Sequence, residues 1–222
     1  MQTFQTAAAI TAVVEIPAGA VRFVAGAGTQ ASVEVRPADA AKNRDVKLAE
    51  QIHVEFVDGV LRVGAEPAKH KLIGHNGSVD VTVTLPAGSK VRARTSAGAI
   101  RGVGRFGEVG AEAAQGPIRF DETAEARLSV LDGAITVGRL GGAAELSTRR
   151  GDITVDEAVA GTVTLTTQVG NVTVGAAAES SATLDAGTAL GRVTNALKNT
   201  GSGAQLAIRA TTAQGDISAR TR

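Results

Sequence analysis

Residues 133–137 read GAITV, residues 151–155 read GDITV and residues 170–174 read GNVTV. In each segment a glycine is followed two positions later by a β-branched residue. The full set of such glycines is Gly98, Gly116, Gly133, Gly151, Gly170, Gly191 and Gly215, at successive spacings of 18, 17, 18, 19, 21 and 24 residues. Self-similarity at a nearly fixed period indicates a repeat architecture, in which each unit buries its apolar face against its neighbours.

The residues that follow each glycine alternate between two faces. An inward column contains Ile100, Ile118, Ile135, Ile153, Val172, Val193 and Ile217, and two residues further on Phe120, Val137, Val155 and Val174. An outward column between them contains Arg101, Arg119, Thr136, Thr154, Thr173, Thr194 and Ser218. A period of two is that of a half-buried strand, and its recurrence in register predicts strands that stack in parallel. We therefore expect an all-β fold, a parallel β-solenoid (β-helix) of about seven coils, one for each glycine.

The N-terminal third is less regular. Residues 1–86 predict an N-terminal antiparallel β cap or small sandwich, continuous with solenoid repeats over residues 87–222. Within it, Asp58-Gly59 between alternating apolar residues is a strong hairpin signal. The charged stretch 38–50 is the one segment expected to form a short helix. A covered first coil is physically reasonable, because an exposed strand edge invites aggregation.

Composition excludes several classes of function. The chain has no Cys, which excludes a disulfide framework, thiol catalysis and thiolate metal sites. Its 23 Lys and Arg are interspersed with 22 Asp and Glu, and it has no Trp or Tyr, so neither a basic stripe nor a stacking platform for nucleic acid is expected. No window reaches the apolar length of a membrane span, and the N-terminus lacks the basic region of a signal peptide. We expect a cytoplasmic protein without a cofactor.

Several motifs also resemble one family. They are the Met-x-Thr-Phe start, VEVRP at residues 33–37, VTVTLPAGS at residues 81–89, the repeated Gly-Asp-Ile turns and the closing TTAQGDIS at residues 211–218. On these the chain resembles the bacterial putative-adhesin-like family of β-strand-repeat proteins, in its cytoplasmic actinobacterial branch. The resemblance covers nearly the whole chain and implies a β-solenoid without assigned catalytic residues. It implies no adhesive activity, because no anchor or aromatic sugar platform accompanies it.

The weak catalytic candidates are histidines and aspartates. His70 and His75 share an expected long loop over residues 65–77 and are candidates for a metal or acid–base site, although their spacing is not that of a helical ligand pair. The simpler interpretation is that they are solvated, and that His53 lies on a strand face. We expect no metal. Solenoid enzymes that cleave polysaccharides use clustered acids on one face. The corresponding candidates, from neighbouring coils of this chain, are Asp121, Asp132, Asp152 and Asp156.

The repeated Gly-Asp turns and the outward hydroxyl column each have a functional interpretation and a simpler structural one. Gly-Asp turns occur in calcium-binding repeats, but here the period is twice as long and the residue after glycine varies, which favours structural turns. The outward Thr column is similar to arrays that order water or ice. Threonine also favours any half-exposed strand, and Arg101 and Arg119 interrupt the column, which favours a solvated face.

The binding candidates are arginines that cluster in the first coils: Arg92, Arg94, Arg101, Arg105 and Arg119. They predict a local patch for an anion or a partner. Acidic residues lie in the same stretch, so exposed ion pairs are the simpler alternative, each contributing little to stability.

Two functions follow as hypotheses. The first is a non-enzymatic β-solenoid scaffold or protein-interaction module, self-associating through its open C-terminal end or a flat face. The alternative is an enzyme or small-molecule binder with its site where the N-terminal cap meets the first coils. The alternative requires a pocket lined by convergent polar groups.

Overall fold

A computed structural model describes residues 1–6, 8–65, 77–198 and 205–222. Within these residues the chain is nearly all β, with nineteen strands and one helix. In chain order they are β1 (Gln2–Gln5), β2 (Thr11–Ala18), β3 (Val21–Gly26), β4 (Gln30–Pro37), α1 (Asn43–Gln51), β5 (Ile52–Val57), β6 (Val60–Ala65), β7 (Val79–Pro86), β8 (Lys90–Ala97), β9 (Ile100–Gln115), β10 (Ile118–Asp132), β11 (Ile135–Leu140), β12 (Ala144–Arg150), β13 (Ile153–Ala158), β14 (Gly161–Val169), β15 (Val172–Ala176), β16 (Ser181–Leu190), β17 (Val193–Ala196), β18 (Gln205–Gln214) and β19 (Ile217–Thr221).

The strands on either side of the corner glycines form two parallel ladders. Ladder A, before the corners, runs in space β6, β2, β8, the second half of β9, the second half of β10, β12, β14, β18 and β16. Ladder B, after the corners, runs β7, β3, the first half of β9, the first half of β10, β11, β13, β15, β19 and β17. We call one strand of each ladder, at the same level, a layer.

The predicted register is confirmed where the repeats are regular. Ile118 pairs with Ile100 on one side and with Ile135 on the other, and Ile135 pairs in turn with Ile153. Side chains alternate across each strand, so the inward residues of both ladders meet in one buried cluster. The core therefore lies between the ladders, and their outward faces point away from it.

Chain order and spatial order differ at both ends of the ladders. Near the C-terminus, β18 and β19 pair with β14 and β15 on one side and with β16 and β17 on the other. At the other end, β2 and β3 lie between β6 and β7 on one side and β8 and β9 on the other. The pair β2 and β3 and the pair β18 and β19 are thus each inserted one layer inside the end of the stack.

The corner glycines are required because successive corners stack directly on one another. A methyl group on Gly151 would lie 2.1 Å from the carbonyl oxygen of Gly133, and one on Gly215 would lie 2.0 Å from that of Gly170. Both residues also have positive φ, 145° and 141°, which L side chains rarely adopt. The repeat therefore marks positions where only glycine allows two layers to approach.

The N-terminal third differs from the expected antiparallel cap. Over residues 1–6, 8–65 and 77–86, antiparallel pairing is confined to β1 with β4, β4 with β7, and β5 with β6. The strands β2 and β3 pair in parallel within the ladders. The reason is that the segments around Gly19 and Gly98 have matching strand–corner–strand patterns, so the first of these can stack as a layer. The Asp58-Gly59 hairpin is confirmed between β5 and β6.

The predicted short helix is also confirmed, as α1. Leu48 is buried on its inner side, where the helix packs against β4 and β7. The buried carboxylate of Asp45 accepts a hydrogen bond at 3.0 Å from the backbone N–H of Ser78, just before β7. This bond ties the helix to the start of that strand.

Candidate functional site

The outward face of ladder A encloses a groove of about 1210 Å³. It extends across β2, β6, β8, β9, β10, β12 and β14, so it joins the N-terminal strands to the first regular layers. Small side chains lie along its floor, including Gly110, Ser129 and Ser147. Because outward positions on a strand recur every second residue, each of the strands that cross the groove contributes side chains to it.

Charged side chains line the groove in bands that follow the strands. β8 contributes Lys90, Arg92 and Arg94, and the neighbouring half of β9 contributes Glu108 and Glu112. The groove also contains Glu15, Arg62, Glu125, Arg127 and Glu145. Basic and acidic residues are therefore equal in number. Their sign alternates from strand to strand across β6, β2, β8 and β9, and β10 carries one residue of each sign.

Most cations in the groove pair with a carboxylate one repeat further along the chain. Lys90 Nζ lies 3.2 Å from Glu108 Oε2, and Arg94 Nη2 lies 2.8 Å from Glu112 Oε2. The same spacing of 18 residues joins Arg127 to Glu145 at 3.3 Å. Such exposed pairs add little stability, and each joins side chains on neighbouring strands.

Arg92 differs from its neighbours because its partner position in β9 is Gly110. No carboxylate within the described residues pairs with its guanidinium, and its Cγ lies 4.0 Å from where a Cβ of Gly110 would be. In the same row, Val13 separates Arg92 from Arg62. Arg92 therefore presents a guanidinium at the centre of the groove without an ion-pair partner among the described residues.

The structure divides the predicted arginine cluster between the two ladders. Arg92 and Arg94 face the groove on ladder A. Arg101 and Arg119 lie next to each other on the outward face of ladder B, with Arg101 also beside Arg22. Arg105 pairs in register with Glu122 on the same ladder. The five arginines therefore belong to separate surfaces.

The aspartate candidates have separate structural roles. Asp121 accepts a hydrogen bond from the N–H of Gly104 at 3.3 Å, and Asp132 forms an ion pair with Arg150 at 3.3 Å. Asp152, at a corner, accepts the N–H of Asn171 at 2.7 Å, and Asp156 pairs with Arg222 at 3.1 Å. Each carboxylate is engaged by a different local partner.

The corner at Asp152 belongs to a stack of side-chain hydrogen bonds. Asn171 Oδ1 accepts the N–H of Asp216 at 2.8 Å, and Asp216 Oδ1 accepts the N–H of Arg192 at 2.8 Å. Each side chain therefore links one layer to the next. This arrangement gives the Gly-Asp turns the structural role that the sequence favoured.

The histidines provide little further information about a site. His53 lies exposed on β5, as the sequence suggested, while His70 and His75 fall outside the described residues. In the part of the chain that the structure describes, no three His, Asp or Glu side chains gather in a way that would hold a metal ion.

Asp39 lies before α1, where the N–H of Ala41 and then the ammonium of Lys42 lower the pKa of its carboxyl.

The candidates taken from the sequence did not include Glu145, Gly110 or Arg22, although the repeat marks each of them. Arg127 and Glu145 are 18 residues apart, which is the repeat period, and that coincidence would have identified a cross-strand pair. Gly110 lies outside the corner pattern, so its presence on a strand indicated a gap. Arg22 lies three residues after Gly19, as Arg101 lies three residues after Gly98, so the spacing marks the two arginines as equivalent positions.

Among known proteins, distant solved structures are similar to this chain. No protein-family model matches the chain, and no curated protein matches it. A solved structure of a putative cell adhesion protein from Clostridium sporogenes is 12% identical, covers 100% of this chain and 98% of that one, and has a TM-score of 0.43. A putative adhesin from Bacteroides fragilis is 13% identical, with 100% and 95% coverage and a TM-score of 0.44. A putative adhesin from Parabacteroides merdae is 13% identical, with 98% and 94% coverage and a TM-score of 0.45.

All three neighbours are described as putative adhesins or cell adhesion proteins, and their TM-scores lie below 0.5. Across the described ranges, no helix has the length and apolar character needed to cross a membrane.

Proposed function

We propose that the protein is a non-enzymatic β-solenoid interaction module that binds an extended segment of a partner protein in the ladder A groove. In this proposal the two ladders are the faces of one solenoid, joined at their glycine corners. The observation that carries the proposal is the groove of about 1210 Å³ with its strand-by-strand bands of opposite charge. A partner with complementary charges would be oriented as well as bound, because electrostatic complementarity fixes register.

The size and lining of the groove favour a protein partner over a small molecule. Small-molecule pockets usually have volumes of about 300–1000 Å³ and are mostly apolar with few polar groups. This groove is larger, and ten of its lining residues carry charge. Its unpaired Arg92 is the kind of side chain that often dominates the energy of an interface.

Three of the five carboxylates in the groove are engaged in ion pairs, which favours binding over acid–base chemistry at those three positions. Glu108, Glu112 and Glu145 are each held by a cation on the neighbouring strand. A general base needs a carboxylate that is free to reach the proton it removes. Carboxylates held in this way are suited to recognising charges on a partner.

Substitution of Gly110 by phenylalanine tests the proposal directly. A Cβ at this position would enter the groove without a clash, because its nearest atoms lie 4.0 Å away, and the ring would extend from it into the groove. Peptides would be selected from a random display library on the wild-type protein and measured by fluorescence anisotropy. We expect at least about tenfold weaker binding to Gly110→Phe, which corresponds to about 1.4 kcal/mol.

The matched control is Gly187→Phe on β16, where a Cβ also has no neighbour within 4 Å and which lies outside the groove. Peptides should bind this variant and the wild type equally. The proposal would be contradicted if the peptides bound Gly110→Phe and Gly187→Phe with the same affinity as the wild type. A library that yields no binder would also contradict it.

The alternative, an enzyme or small-molecule binder, is favoured by one observation. The groove lies where β2 and β6 meet β8 and β9, the junction at which the sequence placed such a site. A thermal-shift screen of charged metabolite-sized compounds distinguishes the two functions. A compound that stabilises the wild type but not Gly110→Phe would favour the alternative.

We also propose that the C-terminal end of the ladders pairs with a second copy. No described strand pairs with β16 or β17 on the side away from β18 and β19, and Leu190 and Val193 there are 65% and 42% exposed. A second copy presents the same two-strand edge, and exposed edges of this kind readily pair.

The oligomeric state tests this pairing. Sedimentation velocity should show a concentration-dependent dimer for the wild type and a monomer for Leu190→Glu. Leu131→Glu, at a residue 50% exposed on β10, is the control and should remain dimeric. A wild-type protein that is monomeric at all concentrations would contradict the proposal.

A further inference from the structure

Three arginines form a row on the outward face of ladder B, away from the groove. Arg22 on β3 pairs in register with Arg101 on β9, and Arg101 pairs with Arg119 on β10. All three side chains are exposed. Adjacent strands lie about 4.8 Å apart, so three positive charges follow one another at the closest spacing that a sheet allows.

No carboxylate neutralises this row. Among the described residues, none of the three arginines forms an ion pair, whereas Arg94 and Arg127 on ladder A both do. Like charges directly opposite each other on neighbouring strands destabilise a sheet. The row therefore has an unfavourable energy that a bound anion would relieve.

The nearest acids are held by backbone amides instead. Asp80, on the strand next to β3, accepts the N–H of Ala20 at 3.3 Å. Asp121, two residues after Arg119, accepts the N–H of Gly104 at 3.3 Å. These carboxylates lie near the two ends of the row, and neither forms an ion pair with an arginine in it.

The surroundings of the row are otherwise uncharged. Thr82 and Thr136 continue it on either side, and Glu34 beyond Thr82 is paired with Arg36 at 2.6 Å. Val24 and Val103 flank it along the strands, and they pair with each other. The two valines therefore border the row beside Arg22 and Arg101, and Asp121 borders it beside Arg119.

We propose that Arg22, Arg101 and Arg119 bind a ligand with consecutive phosphate groups, an oligophosphate. A guanidinium fork matches phosphate oxygens in a bidentate arrangement. A single phosphate would reach one or two arginines, whereas a chain of phosphates places anionic oxygens along the whole row. This site lies on a different ladder from the groove and is independent of the proposed partner binding.

Isothermal titration calorimetry at low salt tests the site with inorganic tripolyphosphate and orthophosphate as probes. The wild type should bind tripolyphosphate at least about tenfold more tightly than orthophosphate, because more arginines take part. The triple variant Arg22→Gln, Arg101→Gln, Arg119→Gln should lose at least about tenfold in affinity for tripolyphosphate. Circular dichroism would verify that each variant is folded.

A matched triple variant removes the same charge elsewhere: Arg149→Gln, Arg209→Gln, Arg220→Gln. These arginines are exposed and form no ion pair among the described residues. Their loss should change the affinity for tripolyphosphate by less than about threefold, as expected for long-range screening alone. Equal losses in both triple variants would overturn the proposal, because the binding would then depend only on net charge.

Lysine substitution separates charge from geometry. Replacing the three arginines of the row by lysine keeps the charge and removes the planar fork, so the affinity should fall to between those of the wild type and the glutamine variant. Equal wild-type affinity for both probes, or full affinity in the glutamine variant, would overturn the site. Gly110→Phe should leave tripolyphosphate binding unchanged, which distinguishes this site from the groove.

Discussion

The two ends of the ladders protect their strands in different ways. At the N-terminal end, β4 and β5 pair antiparallel with the outermost strands β7 and β6, and α1 packs against β4 and β7. At the C-terminal end, β16 and β17 are the last strands that the structure describes. At both ends a pair of strands lies one layer inside the outermost pair: β2 and β3 inside β6 and β7, and β18 and β19 inside β16 and β17. The N-terminal end is therefore covered by antiparallel strands and a helix, whereas no described strand covers the outer side of β16 and β17.

The corners differ between the two ends as well. In the N-terminal layers the residue after the corner glycine is Ala99, Pro117 or Ala134, which offers no side-chain hydrogen bond. In the C-terminal layers, Asp152 and its successors link each corner to the next. Consecutive side-chain links therefore reinforce the C-terminal corners, whereas at the N-terminal end Asp80 supplies a single link by accepting the N–H of Ala20 at 3.3 Å.

Alanine at a corner glycine should have the largest effect, and the effect should depend on the end of the ladder. A Cβ at Gly98 would lie 1.7 Å from the carbonyl oxygen of Gly19, between two layers that are held on both sides. At Gly191 the corresponding distance is 1.9 Å from Gly215, but the last layer is free to move away. We expect Gly98→Ala to lower the free energy of unfolding by about 3 kcal/mol or more and Gly191→Ala by about 1–2 kcal/mol.

Urea unfolding followed by circular dichroism measures both changes. Gly187→Ala is the control, since nothing lies within 4 Å of its Cβ, and it should be close to neutral. Equal losses at Gly98 and Gly191 would show that the last layer is as constrained as the inner ones.

The sequence predicted the regular part of this fold because its signal is local. Glycine at the corner and β-branched residues two positions later are both fixed by stacking, so the columns through Ile118 and Ile135 could be predicted from spacing alone. The inserted layer around Gly215 could not, because Gly191 and Gly215 have the same local pattern in either order. Only pairing between distant segments distinguishes the two orders.

The candidate surfaces were predicted in part for a related reason. Arg92 and Arg94 were identified as a cluster with Arg101 and Arg119, but neighbours in sequence lie on opposite sides of a corner. Which ladder a residue joins depends on its distance from the glycine. The groove itself arises from small residues such as Gly110 on several strands, a property that no single segment of the sequence displays.

Two valines beside Ile217 test the difference in packing between an inner and an outer layer. Val172 and Val193 pair with Ile217 from opposite sides, and they are 0% and 42% exposed. Val172→Ala should lower the free energy of unfolding by about 2–3 kcal/mol, because it leaves a cavity in the core. Val193→Ala should cost less than about 1 kcal/mol, since part of its surface is already in water. Similar losses of unfolding free energy in the two variants would mean that the last layer is covered in solution, as a second copy would cover it. Dilution to concentrations at which the dimer dissociates would then reduce the loss in Val193→Ala.

The smallest effects should come from two buried threonines and should have opposite signs. Thr148 Oγ1 donates a hydrogen bond at 3.1 Å to the carbonyl of Gly133, and Val130 occupies the same register position in the preceding layer, so valine fits there. Thr123 lies buried at the bend of β10, and its Oγ1 has no hydrogen-bond partner among the described residues.

Thr148→Val should therefore lower the free energy of unfolding by about 1 kcal/mol, because a hydrogen bond is lost. Thr123→Val should raise it by about 1 kcal/mol, because an unpaired buried hydroxyl costs energy that a methyl group does not. Both changes conserve volume closely, so the difference isolates the hydrogen bond. The midpoints of urea unfolding should move in opposite directions with an unchanged slope. A loss of stability in Thr123→Val would show that water or a neighbouring group forms a hydrogen bond with this hydroxyl in solution. The bend of β10 would then depend on a polar contact, as the C-terminal corners do.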